Sequence, residues 1–182
     1  MYPANRLSRR GLLLWGAAFG IACRPQTARA IAEPKGERSL RFHNLHTGEK
    51  LTSTYWVEGR YVPSARAEID FILRDFRTGD VCPIDVGLLD TLVALQGRLE
   101  NQAAFGVISG YRSPKTNAAL ALTSGGVAKK SYHMSGLAID VRLPGCDLKD
   151  LQRAALALRR GGVGYYPKSD FVHIDVGPVR SW

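Results

Sequence analysis

Apolar residues fall at two spacings along this chain, and the switches between them mark its elements. Ser39 to Leu45 and Lys50 to Val57 have strand character, and His46-Thr47-Gly48-Glu49 between them reads as a turn, so a hairpin is predicted. Pro63-Ser64 reads as a helix start, with Ile69, Ile72, Leu73 and Phe76 at helical spacing before Thr78-Gly79-Asp80. A second helix is predicted from about Asp85 to Leu99, with Leu88, Leu92, Leu95 and Leu99 on one broad face. Phe105 to Ser109 reads as a short buried strand that feeds the loop Gly110-Tyr111-Arg112-Ser113-Pro114, and Thr116 to Leu122 as a short helix. From Leu137 to Val141 the alternation returns: Leu137, Ile139 and Val141 face one side, Gly136, Ala138 and Asp140 the other. Asp147 caps a helix with the face Leu148, Leu151, Ala155 and Leu158. Val172, Ile174 and Val176 then alternate with His173 and Asp175. These elements predict an α+β fold: a single domain, its antiparallel sheet covered by helices on one side and open as a cleft on the other.

The N-terminus departs from this pattern. Leu7-Ser8-Arg9-Arg10-Gly11-Leu12-Leu13 is a twin-arginine pattern, an apolar run from Leu12 to Ala22 follows, and Ala28-Arg29-Ala30 supplies an A-x-A cleavage site. Residues 1–30 are therefore expected to be a twin-arginine signal peptide and residues 31–182 the mature domain, delivered to the periplasm by the twin-arginine translocase. The apolar run is too short to span a bilayer, so no stable membrane insertion is expected. Gly20 stands where a lipid-anchor signal at Cys23 usually has a bulky apolar residue. Removing residues 1–30, with five arginines and no acid, lowers the formal charge from +9 to +4. No basic helix or aromatic-basic motif accompanies that charge, so nucleic acid is not an expected partner. Cys82 and Cys146 remain in the mature domain, as a disulfide or as two free thiols.

Chemistry concentrates in two stretches. Ser131-Tyr132-His133-Met134-Ser135-Gly136-Leu137-Ala138-Ile139-Asp140 and Asp170-Phe171-Val172-His173-Ile174-Asp175 hold two of the chain's four histidines and three carboxylates. Imidazole nitrogen and carboxylate oxygen are the ligands of catalytic Zn²⁺, which takes three from the protein and leaves a position for water. His133, Asp140 and His173 make that set, with one Zn²⁺ per chain. Gly136 and Ala138 keep the face beside Asp140 low, and His173 shares a strand face with Asp175. A lone histidine in a strand is more often a satisfied polar residue than a ligand; here the combination outweighs that reading. His43 and His46 flank a strand-turn junction where the two would not face each other, and read as surface polar residues. Gly161-Gly162-Val163-Gly164 permits tight backbone geometry but is followed by no Lys-Ser/Thr, so it is not a phosphate loop.

The run S-x-H-x-x-G-x-A-x-D followed by D-x-x-H resembles the zinc D-Ala-D-Ala peptidase superfamily. Gly161 to Pro167 and Phe171 to Gly177 are similar to its murein endopeptidase K family, over about Leu40 to Trp182. The resemblance implies a periplasmic zinc metallopeptidase that hydrolyses peptide cross-links of the murein sacculus, including diaminopimelate–diaminopimelate and D-Ala–diaminopimelate bonds. A zinc D,D-carboxypeptidase and a non-catalytic peptidoglycan-binding module are the alternatives. It also implies site roles. Asp170 matches the general-base position and Asp175 falls to orienting His173, or the two roles are reversed; Arg112 would steady the substrate carbonyl or carboxylate. Ser131 and Tyr166 are candidate substrate contacts, and the loop from Thr123 to Lys130 a candidate groove wall.

Replacing Arg9 and Arg10 together by lysine is expected to trap precursor in the cytoplasm, as seen by fractionation and immunoblotting. Mature protein in the periplasm of a strain lacking the twin-arginine translocase would redirect export to the general secretory path.

Overall fold

The computed structural model describes residues 36–123, 128 and 130–182. The expected signal peptide lies outside the described residues, as does most of the loop from Thr123 to Lys130.

Among the described residues, eight strands form one sheet in the order β3-β2-β1-β4-β5-β7-β6-β8. The predicted hairpin is β1 (Glu37–Asn44) and β2 (Lys50–Val57), and the short β3 (Arg60–Tyr61) extends its edge. Helices α1 (Pro63–Ile72) and α2 (Val86–Leu99) carry the chain across to β4 (Phe105–Ser109). Helix α3 (Pro114–Thr123) and a 3-10 turn over Tyr132–Ser135 precede β5 (Ala138–Arg142). Helix α4 (Leu148–Leu158) leads to β6 (Gly162–Tyr166), β7 (Phe171–Asp175) and β8 (Arg180–Ser181).

The sheet is mixed, which corrects the antiparallel expectation. β4 pairs with β1 in parallel, because the two-helix crossover is long enough to return the chain to the starting edge. β8 pairs with β6 in parallel, because the chain leaves β7, crosses beneath Gly161, just ahead of β6, and climbs its far side. That crossing is close: a Cβ on Gly161 would stand 1.7 Å from the Asp175 carbonyl oxygen. β6 and β8 were not expected as strands, since glycine carries no alternation signal and β8 is two residues long.

The apolar faces meet where the spacing places them. Phe42 of β1, Ile139 and Val141 of β5, and Val172 and Ile174 of β7 are buried with Ile69 of α1, Leu92 of α2 and Leu151 of α4 in one core. Each such side chain contributes on the order of 1.5–3 kcal/mol. Helices α2 and α4 start where an aspartate caps them: Asp85 accepts from Gly87 N and Asp147 from Lys149 N, both at 2.8 Å. Helix α1 stops at Ile72, before the expected Phe76, because the Asp75 side chain competes for the next turn and accepts from Arg77 N at 3.0 Å. Cys82 and Cys146 are separate free thiols. No helix among the described residues is long and apolar enough to cross a membrane.

The segment after α1 is also the bed for the loop that carries Arg112. Leu73 O accepts from Tyr111 N at 2.7 Å, and Asp75 Oδ2 accepts from Ser113 N at 2.8 Å. Residue 110 must be glycine, since a Cβ there would stand 2.4 Å from Leu73 O. Burial raises the Asp75 pKa, but hydrogen bonds from Thr116, Ser113 and Arg77 outweigh it and hold the carboxyl down at about 2.

Asp75→Ala leaves buried amides without an acceptor and is expected to cost about 1–3 kcal/mol, read as a lower urea midpoint. Because the folded pKa lies below the ordinary 3.8, the stabilisation is present above that value. It should fade as pH falls towards 2, so the wild-type and variant midpoints should converge in acid. Equal midpoints at neutral pH would remove Asp75 from this role.

Candidate metal centre

Two strands and one turn bring the candidate ligands together. β5 and β7 are antiparallel neighbours whose register sets Asp140 directly opposite His173 and Ala138 opposite Asp175. Both strands bury their other faces in the core, so Asp140 and His173 project to the same open side. A register irregularity between Val107 and Ser109 places Ser109 against Asp140 from the other neighbour, β4. His133 enters from the 3-10 turn, which ends at Gly136 in the left-handed region at φ 67°. A side chain there would strike the Pro83 carbonyl oxygen at 2.2 Å, so glycine alone lets the turn close onto the entry to α2.

His133 Nε2, Asp140 Oδ1 and His173 Nδ1 converge. The two nitrogens are 3.2 Å apart, and they lie 3.2 Å and 2.8 Å from the carboxylate oxygen. Ligands at about 2.0–2.1 Å from a tetrahedral ion stand about 3.3 Å from one another, so the spacing fits.

The outer nitrogens support the same reading. His133 Nδ1 donates to Gly110 O at 2.7 Å, and His173 Nε2 donates to Asp175 Oδ2 at 3.1 Å. Each partner can only accept, so in the neutral tautomers the two inward nitrogens carry lone pairs. Three lone pairs then meet at one buried point, an arrangement that a cation satisfies. Burial alone would lower the His173 pKa, but the carboxylates of Asp140 and Asp175 favour the protonated ring and raise it. For Asp140 burial pushes upward, and the two histidines hold the pKa well below the usual range.

Of the other candidate residues, three line the same cleft of about 530 Å³: Arg112, Ser131 and Tyr166. Arg112 Nη2 lies 3.5 Å from Asp140 Oδ2 and 3.3 Å from Ser109 Oγ. These are long bonds, so the guanidinium has donors to spend on a bound oxygen. Burial lowers its pKa, opposed by the charge of Asp140. Asp175 is buried beneath the site and takes five donors: His173, Gly162 N, Gly177 N and both terminal nitrogens of Arg180. A carboxylate has about four lone-pair sites, so Asp175 has none to offer a substrate.

Asp170 is not brought to the cleft. It occupies the left-handed region at φ 53°, and its exposed carboxylate accepts from Arg142 at 2.7 Å. His46 stacks on Phe76 at 3.9 Å between ring centroids, away from the cluster. The cleft also holds Lys130, the end of the loop read as a groove wall, and Tyr132, Phe171, Arg180 and Trp182, which the sequence reading gave no role. The signal for two of them was short: Arg180 and Trp182 share a period-two face after the Gly177-Pro178 turn.

Over residues 32–182 the chain matches the family described as peptidoglycan L,D-endopeptidase MepK. The peptidoglycan L,D-endopeptidase MepK of Escherichia coli K12 is 44% identical over 181 residues, covering 100% of this chain and 98% of that protein. The probable peptidoglycan L,D-endopeptidase MepK of Haemophilus influenzae is 41% identical over 183 residues, with the same coverage. No solved structure matches the chain significantly.

His133→Ala and His173→Ala are each expected to lose bound zinc while keeping the far-ultraviolet circular dichroism of the fold, since both residues line the cleft and neither belongs to the apolar core. His43→Ala and His46→Ala should keep zinc. Metal content after dialysis decides it, and full occupancy in either of the first two variants would break the three-ligand set.

Proposed function

Because the chain belongs to the peptidoglycan L,D-endopeptidase MepK family, within the zinc D-Ala-D-Ala peptidase superfamily, we propose that it is a zinc-dependent murein endopeptidase of the periplasm. It would act there as a mature domain of residues 31–182, after export by the twin-arginine translocase. The observation that carries this reading is the convergence of His133 Nε2, Asp140 Oδ1 and His173 Nδ1, with both outer histidine nitrogens anchored. Zn²⁺ bound there supplies a Lewis acid that polarises a carbonyl and makes water nucleophilic near neutral pH.

The chain's own residues do the rest. Gly110 O and Asp175 hold the two imidazoles at fixed angles, so the site pays little reorganisation when substrate arrives. Arg112, beside Asp140 and facing the cleft, donates to the scissile carbonyl or to a neighbouring carboxylate. Ser131 and Tyr166 line the cleft and orient the peptide. Asp175 is a positioning residue, because its oxygens are spent on His173, two backbone amides and Arg180. Asp170 is left out of the chemistry, because a base must reach the proton it abstracts and this carboxylate pairs with Arg142 outside the cleft.

The substrate follows from the chemistry of the cross-link. A bond from the L-centre of one diaminopimelate to the D-centre of another is an L,D bond, as in the name of the related proteins. D-Ala–diaminopimelate links are D,D bonds, and cutting them belongs to the broader reading. Digestion of purified sacculi by the zinc-loaded protein should release new ends at cross-links. Loss of terminal D-Ala alone would make it a carboxypeptidase, and binding without products a wall-binding module.

Asp170→Asn is expected to keep both zinc and turnover. Asp175→Asn places an amide NH₂ among donors, and should weaken zinc affinity by about 10–100-fold, with part of its activity returning in excess zinc. A zinc-replete but inert Asp170→Asn would restore Asp170 as the base.

A further inference from the structure

One side of the cleft is built from aromatic rings in contact. Phe171 and Tyr166 stack with centroids 4.6 Å apart and planes 19° apart. Trp182 Nε1 donates to the Tyr166 hydroxyl at 2.7 Å. The indole lies against β6 because residue 164 is glycine: a Cβ there would meet the Trp182 ring at 2.7 Å and the Tyr166 ring at 2.8 Å. This is not core packing, since all three rings line the cleft and Trp182 is 49% exposed. The row ends at the Arg180 guanidinium, held between Trp182 at 4.9 Å and Tyr132 at 5.3 Å. Held rings exposed beside a reactive centre form a surface for apolar groups of a ligand.

We infer that this wall is the subsite for the side chain of the residue that donates the scissile carbonyl. It takes a long methylene arm carrying a carboxylate, as in diaminopimelate, in preference to the methyl of D-Ala. The inference rests on the cross-link reading above and adds the residue that chooses among cross-links.

Distance selects the ligand. The Trp182 ring centroid is 5.2 Å from that of the ligand His173, so a group resting on it belongs to a residue at the cut bond. The glycan is further away, because intervening stem residues each add about 3.3–3.6 Å of extended chain. Chemistry selects the same arm. Methylenes pack on the indole and phenol faces. At the end of the row, Arg180 Nη2 carries two N–H groups and spends one on Asp175 at 2.6 Å, which leaves a donor for the carboxylate of the arm. A methyl group spans neither feature.

The test uses the zinc-loaded full chain and two purified peptide dimers, one joined diaminopimelate to diaminopimelate, the other D-Ala to diaminopimelate. Each is prepared with and without its disaccharide. A dimer that binds uncut is scored by its inhibition constant. Trp182→Ala is expected to reduce the preference for the first dimer over the second by on the order of tenfold to hundredfold, mainly through KM, with or without the sugar. Trp182→Phe keeps a ring over Gly164 and should retain most of the preference, which also carries the comparison where Trp182→Ala does not fold. An equal loss on both dimers, or none on either, overturns the subsite. A loss that appears only with the disaccharide assigns the wall to sugar and overturns it too. If the wild-type protein cuts neither dimer, the endopeptidase reading fails by itself. Dissociation constants for the two dimers then decide the subsite by the same comparison.

Discussion

The antiparallel register of β5 on β7 is the constraint on which the site depends. It sets Asp140 against His173 and turns both to the open face. Side chains alternate along a strand with a period of two, so a one-residue slip of either strand would turn its own ligand, Asp140 or His173, into the core and expose its own apolar residues, Ile139 and Val141 or Val172 and Ile174. The core resists that slip, because Ile139, Val141, Val172 and Ile174 are all buried against the helices. Apolar burial on one face is thus what aims the polar groups on the other.

His133 is held by a different device. It sits on a turn, and its ring is fixed by the Gly110 carbonyl. That carbonyl is placed by the packing of residues 110 and 111 against Leu73, which only glycine at 110 allows. The same loop brings Arg112 to Asp140, and Ser113 to the Asp75 carboxylate. A buried aspartate with no place in the cleft therefore supports two residues that line it.

The three aspartates of the two histidine-bearing stretches end in three environments. Asp140 faces two histidines, Asp175 is saturated by five donors beneath them, and Asp170 is exposed on a left-handed turn beside Arg142. Their chemistry follows from which lone pairs remain unspent and where they point. The crossing of the chain from β7 to β8 makes the difference for Asp175. It carries Gly177 and Arg180 back beneath β6, where both reach that carboxylate.

Local order of residue types determined much of this protein. Alternation in Leu137–Val141 and Val172–Val176 marked the two strands and put Asp140 on one face and His173 with Asp175 on another, and the scarcity of histidine narrowed the ligand set. Helical spacing and the capping aspartates Asp85 and Asp147 marked α2 and α4. These features are legible because each depends on residues a few positions apart. The tertiary structure alone decided which strands adjoin, and so that the sheet is mixed. It also decided that Asp170 turns outward while Asp175 turns inward, and that Arg180 and Trp182 join a cleft built around His133, far from them in the chain. None of that is carried by local spacing, because strand pairing, ring contacts and the filling of lone pairs are settled between residues that only the packed core brings together.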